Sequence, residues 1–81
     1  MAKVILTGAL ARFADGETEF ELDVATIRQL FRVLGERYPE MAPHLAEGTA
    51  VAIDGQIFQD TLIEPIGADS EVHLLPQIAG G

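Results

Sequence analysis

Eighty-one residues with no cysteine, thirteen acidic against five basic side chains and 48% apolar content describe one small soluble domain with room for a single core. Disulfides and thiolate metal clusters are excluded, so stability has to come from dense apolar packing. A formal charge of −8 argues against nucleic acid, whose phosphates call for Lys and Arg, and against an anionic membrane surface, while it would attract a basic protein partner.

The N-terminus is too short in its apolar run for a signal peptide, and no stretch approaches the roughly 20 apolar residues that span a bilayer. The expectation is a cytoplasmic protein that opens on a strand. Lys3 to Leu10 reads as that strand, with Val4 and Leu6 on one face and Ile5 and Thr7 on the other. Asp15-Gly16 is a turn signal. Glu17 to Val24 alternates Phe20, Leu22 and Val24 with Glu19, Glu21 and Asp23, the pattern of a strand with one wet face. Together these predict a β-hairpin.

Thr26 and Gln29 match a capping box. Ile27, Leu30, Phe31, Leu34 and Tyr38 follow at steps of three and four, an apolar helical stripe with Arg28, Arg32 and Glu36 on the other side. Arg32 and Glu36 are spaced to pair. Gly35 costs about 1 kcal/mol relative to Ala in a helix interior, and Pro39 disfavours helical geometry at Tyr38. The helix is predicted from Thr26 to about Tyr38. Glu40 to Gly48 reads as a connection with one helical turn. Ala50 to Ile53 is a short strand leading into Asp54-Gly55, a second hairpin signal, and Gln56-Ile57-Phe58 returns as an edge strand. Leu62 to Asp69 is irregular, because Pro65 and Gly67 break regular structure. Ser70 to Leu75 is the last strand, with Val72 and Leu74 on one face and His73 and Leu75 on the other, and Pro76 ends it.

The element order predicts an α+β fold: a mixed four- to five-stranded sheet packed on one main helix. The first and last strands lie side by side at its centre, as in the β-grasp arrangement. Residues 1–75 form the domain and residues 76–81 a free, flexible tail.

Most candidate chemistry dissolves on inspection. His44 and His73 stand alone, without metal-ligand spacing, His44 expected in solvent and His73 on the outer sheet face. Glu19, Glu21 and Asp23 read as a solvated strand face before they read as acid–base machinery. Gly8 opens no phosphate loop. Asp69-Ser70 has the look of a phosphopantetheine attachment pair, but it precedes a strand pattern near the C-terminus and reads as a polar turn. No Ser or Thr is placed beside a base, and the chain offers little volume for a closed pocket; both argue against an autonomous enzyme.

What remains is the end of the chain. Six residues from Pro76 to Gly81 reach at most ~3.3–3.6 Å each, and Gly80-Gly81, having no Cβ atoms, can thread a narrow channel. The terminal carboxylate is ionised and unreactive at neutral pH, so making it an acyl donor requires ATP. On the two glycines alone, a frayed terminus is the ordinary reading.

The ordered set of hairpin, Thr-initiated helix ending in Tyr38-Pro39, Val51-Ala52-Ile53-Asp54-Gly55, and Gly67-Ala68-Asp69-Ser70-Glu71-Val72-His73-Leu74-Leu75-Pro76-Gln77-Ile78-Ala79-Gly80-Gly81 resembles the MoaD/ThiS-type ubiquitin-like sulfur carriers. It looks nearest to the small subunit of molybdopterin synthase, with the thiamine-pathway carrier as a cousin. Ser70 and Gln77 depart from that pattern, which often has Gly in the acidic turn and a second Pro in the tail.

The resemblance implies that an adenylating enzyme of the ubiquitin-activating type uses ATP to activate Gly81, with Gly80 giving access. The product is a thiocarboxylate that delivers sulfur to a large synthase subunit. No cofactor is expected on this chain. Leu75, Phe58, Pro76 and Ile78 are the expected partner-binding residues, Leu75 and Phe58 forming an outward apolar spot rimmed by acids. Other functions that the resemblance leaves standing are a ubiquitin-like modifier conjugated through Gly81, a thiamine- or cysteine-pathway carrier, and a β-grasp interaction module whose terminus does no chemistry.

Overall fold

The computed structural model describes residues 1–46, 49–59 and 62–76. Alternation of apolar and polar residues sets the sheet. In β1 (Ala2–Leu6) the side chains of Ala2, Val4 and Leu6 are buried while Lys3 is exposed and Ile5 half-buried. In β2 (Glu19–Leu22) Phe20 and Leu22 are buried and both glutamates are wet. The two strands pair antiparallel from Ala2↔Leu22 to Ile5↔Glu19, which bears out the hairpin.

Its connection differs from expectation. The strand stops at Leu6 instead of continuing to Leu10, and Gly8–Ala14 forms a 3-10 helix. Gly8 has φ 61° and Asp15 φ 57°, so left-handed residues bracket the segment. Leu10 and Ala14, four apart, are both buried. The chain thus folds its apolar residues back over the end of the sheet, a tertiary gain that the β-rich composition of this stretch conceals.

Helix α1 (Ile27–Arg37) buries Ile27, Leu30 and Leu34 against the sheet, with Phe31 and Tyr38 packed partly buried beside them. Thr26 is its N-cap, its hydroxyl accepting from the Gln29 N–H at 3.2 Å. The Gln29 side chain accepts in return from the Ala25 N–H at 2.8 Å, one residue before the donor that the capping box predicts. Two further N-terminal donors are met. Ile27 N–H donates to the Glu64 carbonyl and Arg28 N–H to the Leu62 carbonyl, at 3.1 and 2.9 Å. The segment read as irregular is therefore a strap over the start of α1, tied further by the Thr26↔Pro65 bridge and by Ile66, which is buried. The predicted Arg32–Glu36 pair is not among the ion pairs formed by the described residues.

Gly35 has a packing reason. A Cβ there would lie 3.3 Å from the Cβ of Ala42, the first residue of α2 (Ala42–Ala46). Strand β3 (Thr49–Ile53) turns through Asp54 (φ 48°) and Gly55 (φ 89°) into β4 (Gln56–Phe58). Two successive positive φ values are what a type I′ hairpin demands. The last strand, β5 (Glu71–Pro76), runs one residue past the predicted Leu75, because Pro76 still pairs with Thr49.

The sheet order is β2-β1-β5-β3-β4, and β1 and β5 lie parallel from Lys3↔Glu71 to Leu6↔Leu74. The central placement of the first and last strands is thus as expected, and the five-stranded sheet with one main helix is the ubiquitin-like β-grasp. Every buried side-chain nitrogen or oxygen among the described residues has a hydrogen-bond partner. No described helix is long and apolar enough to cross a membrane.

Candidate functional site at the end of the central strand

The predicted reactive end, Gly80-Gly81, and Ile78 beside it lie outside the described residues, as does the rest of the expected tail after Pro76. What the structure describes is the platform from which that segment departs. β5 is the middle strand of five, hydrogen-bonded on both edges, so its exit point is held from two sides. Thr7 donates to the Leu74 carbonyl through both its backbone N–H (3.2 Å) and its hydroxyl (2.9 Å). On the other side Thr49, 6% exposed, pairs with Pro76 and donates its hydroxyl to the His44 carbonyl at 3.1 Å. These contacts fix the C-terminal end of β5.

The start of β5 is secured as firmly. The Asp54 carboxylate accepts from the Glu71 N–H at 2.9 Å, and the Asp54 N–H donates to the Glu71 carbonyl at 2.9 Å. The backbone N–H of Glu71 and then the Ser70 hydroxyl hold the Asp54 carboxyl below its ordinary pKa. Ser70 also accepts from the Gly67 N–H at 3.1 Å and is nearly buried. It is thus the polar turn entering a strand that the sequence suggested, and its hydroxyl is already engaged.

The sheet face opposite the helix carries the outward side chains of the strands. Register aligns Ile5, His73, Ala52 and Ile57 in one cross-strand row, with Ala50 and Leu75 in the row nearer the exit. Ile5, Ala52, His73 and Leu75 are half-buried, and Ile57 is 60% exposed. Toward the far end the face turns acidic, with Glu19, Glu21 and Glu71 around Lys3. Lys3 pairs with Glu19 at 3.5 Å and His73 with Glu71 at 3.7 Å, both at the surface.

Leu75 therefore points outward as expected. Phe58 does not join it. It pairs with Val51, which pairs with Leu74, so Phe58 lies on the helix side and packs against the core. The strand period decides this: Ile57, one residue earlier, takes the outward place. A three-residue edge strand shows too little alternation for sequence to settle which of the two faces out. His44 is exposed as expected, but its ring stacks on Phe13 with centroids 4.4 Å apart. Among the described residues no cluster of His, Cys, Asp and Glu could hold a metal ion.

Residues 4–81 match the model of the ThiS family. The chain belongs to the ThiS family of ubiquitin-like sulfur carriers. No curated protein sequence matches it at a significant level. Among solved structures it is similar to small archaeal modifier protein 1 from Methanosarcina acetivorans, with a TM-score of 0.79 and 20% identity over 99% of this chain and 95% of that one. It is similar also to a chain of the Amycolatopsis orientalis BexX/CysO complex, at TM-score 0.78 and 18% identity, with both chains covered in full. The complex of subunits 1 and 2 of molybdopterin-converting factor from Helicobacter pylori supplies a third, at 0.67 and 21%, covering 99% and 97% of the two chains. Identities this low speak for the shared fold, and the family match reaches the terminal glycines themselves.

Proposed function

We propose that this ThiS-family chain carries sulfur as a thiocarboxylate on Gly81 and hands it to a synthase subunit in molybdopterin biosynthesis. In the first step a carboxylate oxygen of Gly81 attacks the α-phosphate of ATP on an adenylating partner, releasing pyrophosphate. Hydrosulfide, or its equivalent on a donor, then attacks the acyl carbon; AMP leaves with the C–O bond and the proton goes to solvent. The product carries one sulfur in place of one oxygen. The chain's own residues position this chemistry and do not perform it. Thr7 and Thr49 anchor the strand from which the segment departs, and the outward Ile57, Leu75 and Ala52 offer an apolar contact flanked by glutamates. A partner with an apolar recess and a basic edge suits that surface.

The observation that carries the reading is the family match running through Gly80 and Gly81 on a β-grasp body whose central strand leads to them. The similarity to molybdopterin-converting factor structures supports the pathway, and the thiamine and cysteine pathways are the competing destinations.

The test is intact-mass measurement after incubation with an adenylating enzyme, ATP and a sulfur source. Replacement of one oxygen by sulfur, absent when Gly81 is deleted, is the expected result, followed by dithiolene formation when a large synthase subunit and a pterin precursor are added. An unchanged mass refutes carriage; thiocarboxylate formed but passed only to a thiazole synthase refutes the pathway. A second reading, conjugation to target lysines, draws on the similarity to a structure named as a modifier protein. Covalent ladders ending in an isopeptide bond to Gly81 would establish it.

A further inference from the structure

On the opposite side of the molecule from the sheet's outer face, α1, α2 and Leu62 enclose a groove of about 330 Å³ that opens along one side to solvent. Phe31, Leu45 and Leu62 are its large apolar lining, and Arg28 and Arg32 stand at its rim. Both arginines are exposed, one turn apart on the same helix. Among the described residues neither has an ion-pair partner.

The charge distribution makes this place unlike the rest of the surface. The chain has five basic residues against thirteen acidic ones, and two of the five lie here. Of the other three, Lys3 is spent on Glu19 and Arg37 lies over the Phe20 ring at 5.8 Å. Apolar surface extends past the groove, with Leu62 43% and Ile63 82% exposed. An acidic protein that concentrates guanidinium groups around an apolar recess is complementary to a ligand of the reverse pattern, apolar at its centre and anionic at its ends. The open side favours side chains projecting from a polypeptide over a small molecule, which a binding site normally encloses.

We propose that this groove docks a short segment of a partner protein in which large apolar side chains are flanked by carboxylates. The apolar side chains rest on Phe31, Leu45 and Leu62, and the carboxylates meet Arg28 and Arg32. The site stands apart from the sheet face and from β5, so a partner could hold the carrier here while another engages its C-terminal segment. It does not depend on what chemistry occurs at Gly81.

The experiment is an amide NMR titration of the full chain with acetyl-Glu-Phe-Leu-Glu-amide, and in parallel with acetyl-Gln-Phe-Leu-Gln-amide and with decanoate. The expected result is saturable shifts at residues 28–32, 42–46 and 62–63, absent at 71–75, with the neutral peptide at least about tenfold weaker. The R28E/R32E variant should lose the response, the milder R28Q/R32Q should weaken it, and R12E, a charge reversal outside the groove, should retain it. No saturable shift with the acidic peptide, equal binding of the neutral one, or shifts centred on the outer sheet face would each overturn the proposal. Binding of decanoate in place of the peptide would overturn the choice of a protein segment.

Discussion

Leu74 and Leu75 are chain neighbours of the same type with opposite surroundings, and the structure predicts opposite consequences for their truncation. Leu74 is fully buried in a core-side row with Leu6, Val51 and Phe58, whereas Leu75 is half-buried on the outer face. Leu74→Ala removes buried methyls from a site locked between two backbone-paired strands, where collapse is restricted. It should therefore cost about 3–5 kcal/mol. A chain of 81 residues has a total stability of about 4–12 kcal/mol at typical per-residue values. The variant should thus lose a large share of that stability, with its melting temperature lowered by about 12 °C or more. Leu75→Ala, away from the core, should cost no more than about 1 kcal/mol. Under the proposed carrier function it should instead slow thiocarboxylate formation by an adenylating enzyme. Urea unfolding followed by circular dichroism reads the first quantity and intact-mass kinetics the second. Equal destabilisation by the two substitutions would refute the assignment of faces, and an L75A protein with unchanged kinetics would remove Leu75 from the partner surface.

Other expectations concern local devices. Thr26→Ala deletes the hydroxyl that caps Gln29 N–H and should cost about 1 kcal/mol in urea unfolding; no loss would mean that the strap from Leu62 to Ile66 alone secures the helix start. Gly35→Ala gains about 1 kcal/mol of helix propensity but places a Cβ 3.3 Å from that of Ala42, so the measured gain should stay below about 0.5 kcal/mol. A full gain would show that α2 moves aside freely. Asp54 has a folded pKa lowered below 3.8, so its contribution to stability is complete above the unfolded value and is lost as pH falls through the lowered one. Asp54→Asn, which tolerates the positive φ at that position, should flatten the pH dependence of the unfolding midpoint below about pH 3.8. An unchanged slope there would show that the bond to Glu71 carries no protonation linkage.

Period-two alternation within Lys3 to Leu10, Glu17 to Val24 and Ser70 to Leu75 and the stripe from Ile27 to Tyr38 were enough to name three strands, the helix and the residues that share a face, because side-chain direction in regular elements follows from spacing alone. The two Asp-Gly pairs marked left-handed turns for the same local reason, and Gly80-Gly81 stood out in the sequence as the end on which the proposed chemistry rests. Long-range geometry decided the rest. Whether residues 8–14 extend a strand or coil into a 3-10 helix depended on the apolar surface awaiting Leu10 and Ala14. Whether Phe58 or Ile57 faces outward depended on the register with Val51, which three residues cannot announce. The clamps on β5 by Thr7 and Thr49, and the groove joining Arg28 and Arg32 to Leu62, bring together residues far apart in sequence. Only the packed chain creates them, since a contact between distant segments leaves no periodic trace in either one.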